Sequence, residues 1–190
     1  MGYARRCWFV WASVSSLLVI SGQAGCAIPH VGGHVSIPEN WTTIPENAFR
    51  ACSGLVSVSI PSSVERISTY SFAYCTELVL VDSLVSVERI DAYAFAHTGI
   101  NQTSLQSIKR VGTYAFAYSK LQHLNITGDG TTFVDTYAFA YTSLVEVQIF
   151  GLVDTIFSYG FYQNQYLVNL QIYGSVNTIE GYAFKGGSKL

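Results

Sequence analysis

Phenylalanine recurs at a nearly constant interval along most of this 190-residue chain. The intervals are 23, 23, 21, 23, 22 and 23 residues between Phe49, Phe72, Phe95, Phe116, Phe139, Phe161 and Phe184. A period of about 20–50 residues is typical of solenoids, in which each unit buries its apolar side chains against its neighbours. The sequence therefore predicts one elongated repeat domain of about seven units over residues 28–190.

Other residue types repeat in phase with phenylalanine. A branched aliphatic residue lies five positions before it, a small residue directly before it, and an aliphatic residue five or six positions after it. In three units the last column opens a segment that is apolar at its first, fourth and sixth positions: 121–126, 144–149 and 167–172. We expect these segments to be parallel strands and the apolar columns to be buried ladders, each side chain contributing about 1.5–3 kcal/mol.

The segment 44–61 also places cysteine and proline at fixed positions. Its pattern is Ile44, Ala48, Phe49, Cys52, Leu55, Val58, Ile60 and Pro61. This pattern resembles the unit of the BspA-like leucine-rich repeat family, although later units lack the cysteine and Ser83 stands where isoleucine is expected. The resemblance implies a solenoid with short parallel β-strands on one face and short helical or 3₁₀ turns on the other. It also implies a surface antigen or adhesin that binds host or matrix proteins.

Tyrosine lies two residues before phenylalanine in six of the seven units. If the segment around phenylalanine is a helical turn, these tyrosines point about 160° away from it, toward solvent. The turn face, which we define as the surface that carries these tyrosines, is then a candidate docking surface, represented by Tyr93, Tyr114 and Tyr137. The alternative is that the rings only stack along the rod and shield the gaps between units.

The outward side chains of the predicted strands form a second surface, which we call the strand face. Its middle is rich in amides and nearly uncharged, and its candidate binding residues are Gln102, Gln122, His123 and Gln148. Such faces of repeat proteins commonly bind partners. The alternative is a solvated sheet with no ligand.

Two cysteines occupy the same position in adjacent units. Cys52 and Cys75 should lie one strand spacing apart, a distance that permits a disulfide. The alternative is a pair of stacked, reduced and buried thiols. The chain has no C-x-x-C motif, so no zinc or redox site is indicated.

Three segments have the form of an N-glycosylation acceptor, N-x-S/T. They begin at Asn40, Asn101 and Asn125. Asn101 and Asn125 fall on the strand face, where a glycan would block docking.

Residues 1–27 are typical of a secretory signal peptide. Arg5 and Arg6 precede an uncharged, mostly apolar run that ends in small residues. The run is shorter than the roughly 20 residues of a membrane-spanning helix, and a retained signal anchor is the alternative. A lipid-modified Cys26 is disfavoured because Gln23 occupies the position where that motif usually has leucine. We therefore expect a secreted or cell-surface protein.

The composition excludes other functional classes. Only 12 % of the residues are charged and the net charge is −2, which argues against nucleic-acid binding. No sequence motif of an enzyme, cofactor site or metal site is present. We expect a non-enzymatic module that binds a host, matrix or self protein. The alternatives are a structural spacer, or part of a longer array that lacks a C-terminal cap and whose missing part carries any membrane attachment.

Overall fold

The chain folds into an alternation of short strands and turns that repeats along one axis. The computed structural model describes residues 26–28, 30, 32–128 and 130–190. The strands in this part of the chain are β1 (His34–Ser36), β2 (Thr43–Ile44), β3 (Ser57–Ser59), β4 (Arg66–Ile67), β5 (Leu80–Val81), β6 (Arg89–Ile90), β7 (Gln102–Leu105), β8 (Arg110–Val111), β9 (His123–Ile126), β10 (Thr132–Val134), β11 (Glu146–Ile149), β12 (Leu152–Ile156), β13 (Asn169–Ile172) and β14 (Ser175–Ile179).

The strands form two parallel sheets. Sheet 1 contains the predicted strands and is divided into a three-stranded part, β1-β3-β5, and a four-stranded part, β13-β11-β9-β7. Sheet 2 has seven strands in the order β14-β12-β10-β8-β6-β4-β2. The parallel pairing of equivalent segments is confirmed, for example between Val147 and both Leu124 and Leu170. The sequence analysis expected strands on one face only and missed sheet 2.

The phenylalanines form a continuous stack through the centre of the molecule. Their ring centroids are 4.9–5.3 Å apart and the rings are nearly parallel. The first six are fully buried. The predicted ladder is therefore confirmed, and it joins every repeat to the next through apolar contact.

The turn between the two sheets is not helical, which corrects the expectation of helical or 3₁₀ turns. No helix occurs among the described residues. The residues two before and two after phenylalanine have left-handed backbones, such as Tyr114 (φ 56°) and Tyr118 (φ 59°). Their N–H groups, and that of Phe116, donate to carbonyls of the next repeat, whereas Ala115 and Ala117 donate within their own turn. A helix would keep all these bonds within one unit, so pairing between units replaces it.

Several later repeats have a buried polar residue at the position that Cys52 and Cys75 occupy in theirs, including Thr98, Thr142 and Asn164. Asn164 donates to the carbonyls of Phe139 and Phe161, both at 2.9 Å, and accepts from the Thr142 hydroxyl. Thr98 donates to the Phe95 carbonyl at 2.9 Å. Hydrogen bonds to turn carbonyls therefore offset the cost of burying these side chains.

The disulfide partner of Cys52 is Cys26, not Cys75. The segment that carries Cys26 lies against the first repeat, where the Ala27 N–H donates to the Ala48 carbonyl at 2.7 Å. This puts Cys26 beside Cys52, on the side away from Cys75. Neither alternative of the sequence analysis is correct, because both left out a cysteine that had been assigned to the signal peptide. Residues 1–25 of that prediction lie outside the described residues.

Cys75 is a buried free thiol. Its Sγ donates to the Phe49 carbonyl at 2.8 Å. Burial raises the pKa of this thiol to about 11. Because the thiolate is the reactive form, Cys75 is inert near neutral pH.

Candidate functional site

Sheet 1 is interrupted between β5 and β7. No backbone hydrogen bond in the described part of the chain joins these strands, although every other neighbouring pair in the sheet is bonded. β5 has only two residues because the polar Asp82 and Ser83 follow Val81. Ser83 is the irregularity noted in the sequence, and the interval of 21 residues from Phe95 to Phe116 lies in the following repeat, which contains β7. The facing edges of β5 and β7 therefore keep backbone donors and acceptors that the sheet does not use.

A groove of about 350 Å³ lies at the interruption. One wall is apolar and consists of Val79, Leu80, Val81 and Leu84. The other residues that line it are polar: Asp82, Ser83, Asn101, Gln102, Thr103, Ser104, Gln106, His123 and Asn125. The groove thus combines an apolar wall with side-chain and backbone groups that can form hydrogen bonds, which is the usual composition of a binding site.

The strand face differs in polarity on the two sides of the groove. On the N-terminal side of the groove, the residues Val56, Val79 and Leu80 are 39, 45 and 49 % exposed. Val56 and Val79 lie next to each other, since Ser57 pairs with Leu80. An apolar patch therefore borders the groove on its N-terminal side.

On the C-terminal side of the groove, the side chains of the strand face form a hydrogen-bond network centred on Glu146. Its carboxylate accepts from Asn169 Nδ2 at 2.8 Å and Gln148 Nε2 at 3.1 Å. Gln148 also donates to Gln171 at 2.9 Å. His123 Nδ1 lies 3.5 Å from the same carboxylate. These contacts fix the orientation of the polar side chains before any partner arrives.

The structure brings together some of the predicted binding residues. Gln102 and His123 line the groove, and Gln122 is exposed beside it. Gln148 is half-buried and already bonded within the network. Tyr93, Tyr114 and Tyr137 lie on the turn face instead. The sequence analysis did not select Leu80 or Asp82, although Ser83 beside them marked the position where the sheet breaks.

The glycosylation candidates differ in their relation to the groove. Asn101 and Asn125 are among its lining residues, whereas Asn40 is exposed in the first repeat. A glycan on either of the first two would fill the groove, and these sites remain predictions.

The turn face carries two ladders of stacked rings. The first ladder is close to the core and contains Tyr70, Tyr93, Tyr114, Tyr137, Tyr159 and Tyr182, with centroids 4.8–5.4 Å apart. The second ladder is Tyr74, His97, Tyr118 and Tyr141, with centroids 4.7 Å apart. The guanidinium of Arg50 and the ammonium of Lys185 lie over rings at opposite ends of the first ladder. The rings therefore present edges and hydroxyl groups to solvent, while neighbours cover their faces.

Three arginines of sheet 2 are paired with carboxylates. Arg66, Arg89 and Arg110 lie in register on adjacent strands. The buried Asp91 contacts both Arg66 and Arg89 at 2.6 Å, and Asp135 contacts Arg110 at 2.8 Å. This arginine row is largely neutralised and is a weaker candidate for a binding site than the groove.

One cluster has the composition of a metal site. The ligand atoms of Cys26, His30 and Cys52 lie within 4.8 Å of one another. The two sulfur atoms are bonded to each other, whereas a cysteine ligates metal as a thiolate. The cluster is therefore a disulfide with a neighbouring imidazole.

The comparisons agree with the geometry of the repeats. The sequence model of the "BspA type Leucine rich repeat region" matches six copies over residues 33–144 and 88–190. The chain belongs to the BspA-type leucine-rich repeat family. Proteins of this family are typically bacterial and secreted or surface-located, and the repeat fold is typically non-enzymatic and used for protein interaction. Comparison with curated proteins found no match.

Two solved structures of leucine-rich repeat proteins are similar to this BspA-type chain. One, from Bacteroides ovatus, is 22 % identical with a TM-score of 0.66 over 83 % of this chain and 47 % of its own. The other, from Eubacterium ventriosum, is 16 % identical with a TM-score of 0.47 over 83 % of this chain and 64 % of its own. The first likeness shows the fold alone. The chain spans less than two thirds of the length of either protein.

Among the described residues of this BspA-type chain, no helix has the length and apolar character that crossing a bilayer requires.

Proposed function

We propose that this chain is a secreted or cell-surface binding module whose strand face docks a protein partner at the groove between β5 and β7. The single observation that carries the proposal is the interruption of sheet 1. It joins the exposed apolar side chains of Val79 and Leu80 to the polar side chains of Gln102 and His123 in one depression. An exposed apolar patch beside oriented polar groups is typical of an interaction site.

The strand face supports this role better than the turn face does. Tyrosine is common at protein interfaces because its ring offers a large contact area. Here the ring faces are covered by neighbouring rings and by Arg50 and Lys185. Docking on the turn face would use ring edges and hydroxyl groups only.

A catalytic role is not part of the proposal. The arrangement most similar to a catalytic triad lies on the strand face, where His34 Nδ1 is 2.8 Å from Ser57 Oγ and Asp82 accepts from Ser59. In a serine hydrolase the carboxylate contacts the imidazole and orients it. Here the Asp82 carboxylate contacts Ser59 and the His34 ring contacts serines, so the arrangement does not reproduce the carboxylate–imidazole contact of a triad.

The proposed location rests on the signal peptide expected over residues 1–27 and on the typical location of the family. The partner would be a host, matrix or self protein. The alternative function is a structural spacer, and the expected lack of a C-terminal cap stays a prediction.

A peptide-display experiment tests the binding role. Peptides are selected from a random display library on the immobilised chain, and their affinity is measured for groove and control variants. Leu80→Asp and the double variant Gln102→Ala/His123→Ala should each weaken the selected peptides by about tenfold or more, which corresponds to about 1.4 kcal/mol. The matched control is Lys120→Ala, an exposed change outside the groove.

The two functions give different results. Selected peptides that bind groove variants as well as the unchanged chain would overturn the groove proposal. A library that yields no peptide above background would favour the spacer.

A further inference from the structure

The second ladder of the turn face contains two adjacent tyrosines that solvent can reach. The rings of Tyr118 and Tyr141 are 4.7 Å apart and 6° from parallel. Their exposed fractions are 47 and 41 %. Two phenols in contact, each open to a small oxidant, are the reactants for a carbon–carbon cross-link.

We propose that Tyr118 and Tyr141 are a site of oxidative cross-linking within the chain. The oxidant is a peroxidase with hydrogen peroxide, which removes one electron from each phenol while each O–H proton leaves to solvent. The two phenoxyl radicals then form a bond between ring carbons ortho to their oxygens. The hydrogens on those carbons shift to the oxygens, which restores two phenols. The product is dityrosine; the protein loses two hydrogens, and the peroxide is reduced to water.

The position of His97 removes Tyr74 from the site, and Tyr162, whose ring meets that of Tyr141 edge-on at 5.4 Å, is less exposed than Tyr118. Tyr74 has the same position in its repeat and is 44 % exposed, but its neighbour in the second ladder is His97. Histidine offers no phenoxyl radical for coupling. Tyr118 is therefore the first tyrosine of the second ladder whose following neighbour is also a tyrosine.

The exposure of Tyr118 and Tyr141 favours coupling within this pair over coupling between tyrosines of the first ladder. Stacked rings must rotate out of parallel before their ortho carbons can bond. Exposed side chains change rotamer on the picosecond-to-nanosecond scale. The tyrosines of the first ladder are half-buried except Tyr182, whose neighbour Tyr159 is half-buried, so no two neighbours of that ladder are both exposed.

The fold also favours coupling within one molecule. Tyr118 and Tyr141 belong to consecutive repeats that the phenylalanine stack holds together. Tethered groups have effective concentrations on the order of millimolar, so at about 10 µM protein the internal reaction is favoured roughly a hundredfold over coupling between molecules.

The test treats the folded chain with a peroxidase and hydrogen peroxide. Intact mass should show a monomer that has lost two hydrogens, and peptide mapping should find one cross-linked pair containing Tyr118 and Tyr141. Tyr118→Phe and Tyr141→Phe keep the stacked rings and should each lower the internal dityrosine by about tenfold or more. His97→Tyr should raise it, because Tyr74 then gains a tyrosine neighbour.

The control is Tyr173→Phe. Tyr173 is 62 % exposed but stacks on Phe150, so its replacement should leave the internal link unchanged. An undiminished internal yield in Tyr118→Phe would overturn the proposal, and so would links formed mainly between molecules. Circular dichroism of each variant separates loss of the fold from loss of the link.

Discussion

The guanidinium of Arg50 lies 4.8 Å from the centre of the Tyr70 ring, on the side where the preceding repeat has Asn47 in place of tyrosine. It also lies 5.8 Å from the Tyr74 ring and so covers the start of both ladders. We expect Arg50→Ala to lower the free energy of unfolding by about 0.5–1 kcal/mol, the range of exposed cation–π contacts. The urea midpoint measures this loss. Lys120→Ala removes an exposed cation outside these contacts and should change the midpoint little, and equal losses would contradict the role of the contact.

The Phe116 ring stacks between Phe95 and Phe139 at 5.1 and 5.3 Å and is fully buried. Phe116→Ala should lower the free energy of unfolding by about 3–5 kcal/mol, because it leaves a cavity that interrupts the ladder. Chemical denaturation measures the loss, with Tyr118→Phe as a nearby variant that keeps its ring. A loss below about 1 kcal/mol would mean that the ladder is not the main source of stability.

The disulfide between Cys26 and Cys52 closes a loop with a sequence separation of 26 residues. A cross-link of this span stabilises a fold by about 3 kcal/mol. Adding a reductant should therefore lower the unfolding midpoint of the unchanged chain. Cys26→Ser should show a similar loss and no further response to reductant. A mass map that links Cys52 to Cys75 would contradict the pairing.

Cys26 and Ala27 contact the first repeat, although the expected signal peptide includes them. Gly22 and Ala24 are small residues at the spacing that signal peptidase prefers, so cleavage after Ala24 would keep Cys26. We expect the mature chain to begin at or before Cys26, which mass spectrometry of the secreted protein can measure. A mature chain that begins at Ile28 would contradict this and would leave Cys52 without the partner described here.

The packing of the tyrosine ladders predicts a response to alkaline pH. Desolvation and repulsion between phenolates raise the pKa values of Tyr93, Tyr114 and Tyr141 above the ordinary value of 10.0. Below pH 10 these phenols are protonated in both states and contribute no pH dependence. Above it the unfolded chain loses its protons first, so the stability of the fold should fall as the pH rises. Denaturation midpoints measured from pH 8 to 11, together with absorbance titration of the phenolates, test this; stability that rises over this range would contradict it.

The sequence predicts the core well because one residue type, phenylalanine, recurs at the same position of every repeat. Phe116 and its equivalents occupy the only positions at which every unit has the same large apolar residue, and stacking is the only arrangement that buries them all. The strands of sheet 1 follow from apolar positions such as Leu124 and Ile126. Sheet 2 was missed because strands such as Arg66–Ile67 have two residues, too few to show alternation.

The turn could not be predicted from residue types. A left-handed backbone is unusual for any residue other than glycine and is not expected for tyrosine. Tyr114 adopts it because its N–H then reaches the carbonyl of Thr136 in the next repeat. That bond depends on a neighbour 22 residues away, which local sequence rules do not consider.

The groove could be predicted only in part. Ser83 and the shortened interval marked two consecutive irregular repeats, but the loss of strand pairing between β5 and β7 is a relationship between those repeats that neither sequence shows by itself. The disulfide was missed because Cys26 lies in a segment whose composition is typical of a signal peptide. In both cases a tertiary contact decides the outcome.

The alternating hydrogen bonds of the turn give each repeat a direction. Tyr93, Phe95 and His97 direct their N–H groups toward the following unit, which meets them with the carbonyls of Thr113, Ala115 and Ala117. A unit inserted in the same head-to-tail orientation finds matching donors and acceptors on both sides, whereas an insertion of part of a unit shifts every bond out of register. Duplication or loss of whole repeats is thus the change in length that this backbone tolerates, and it would extend or shorten the rod without redesigning either neighbour.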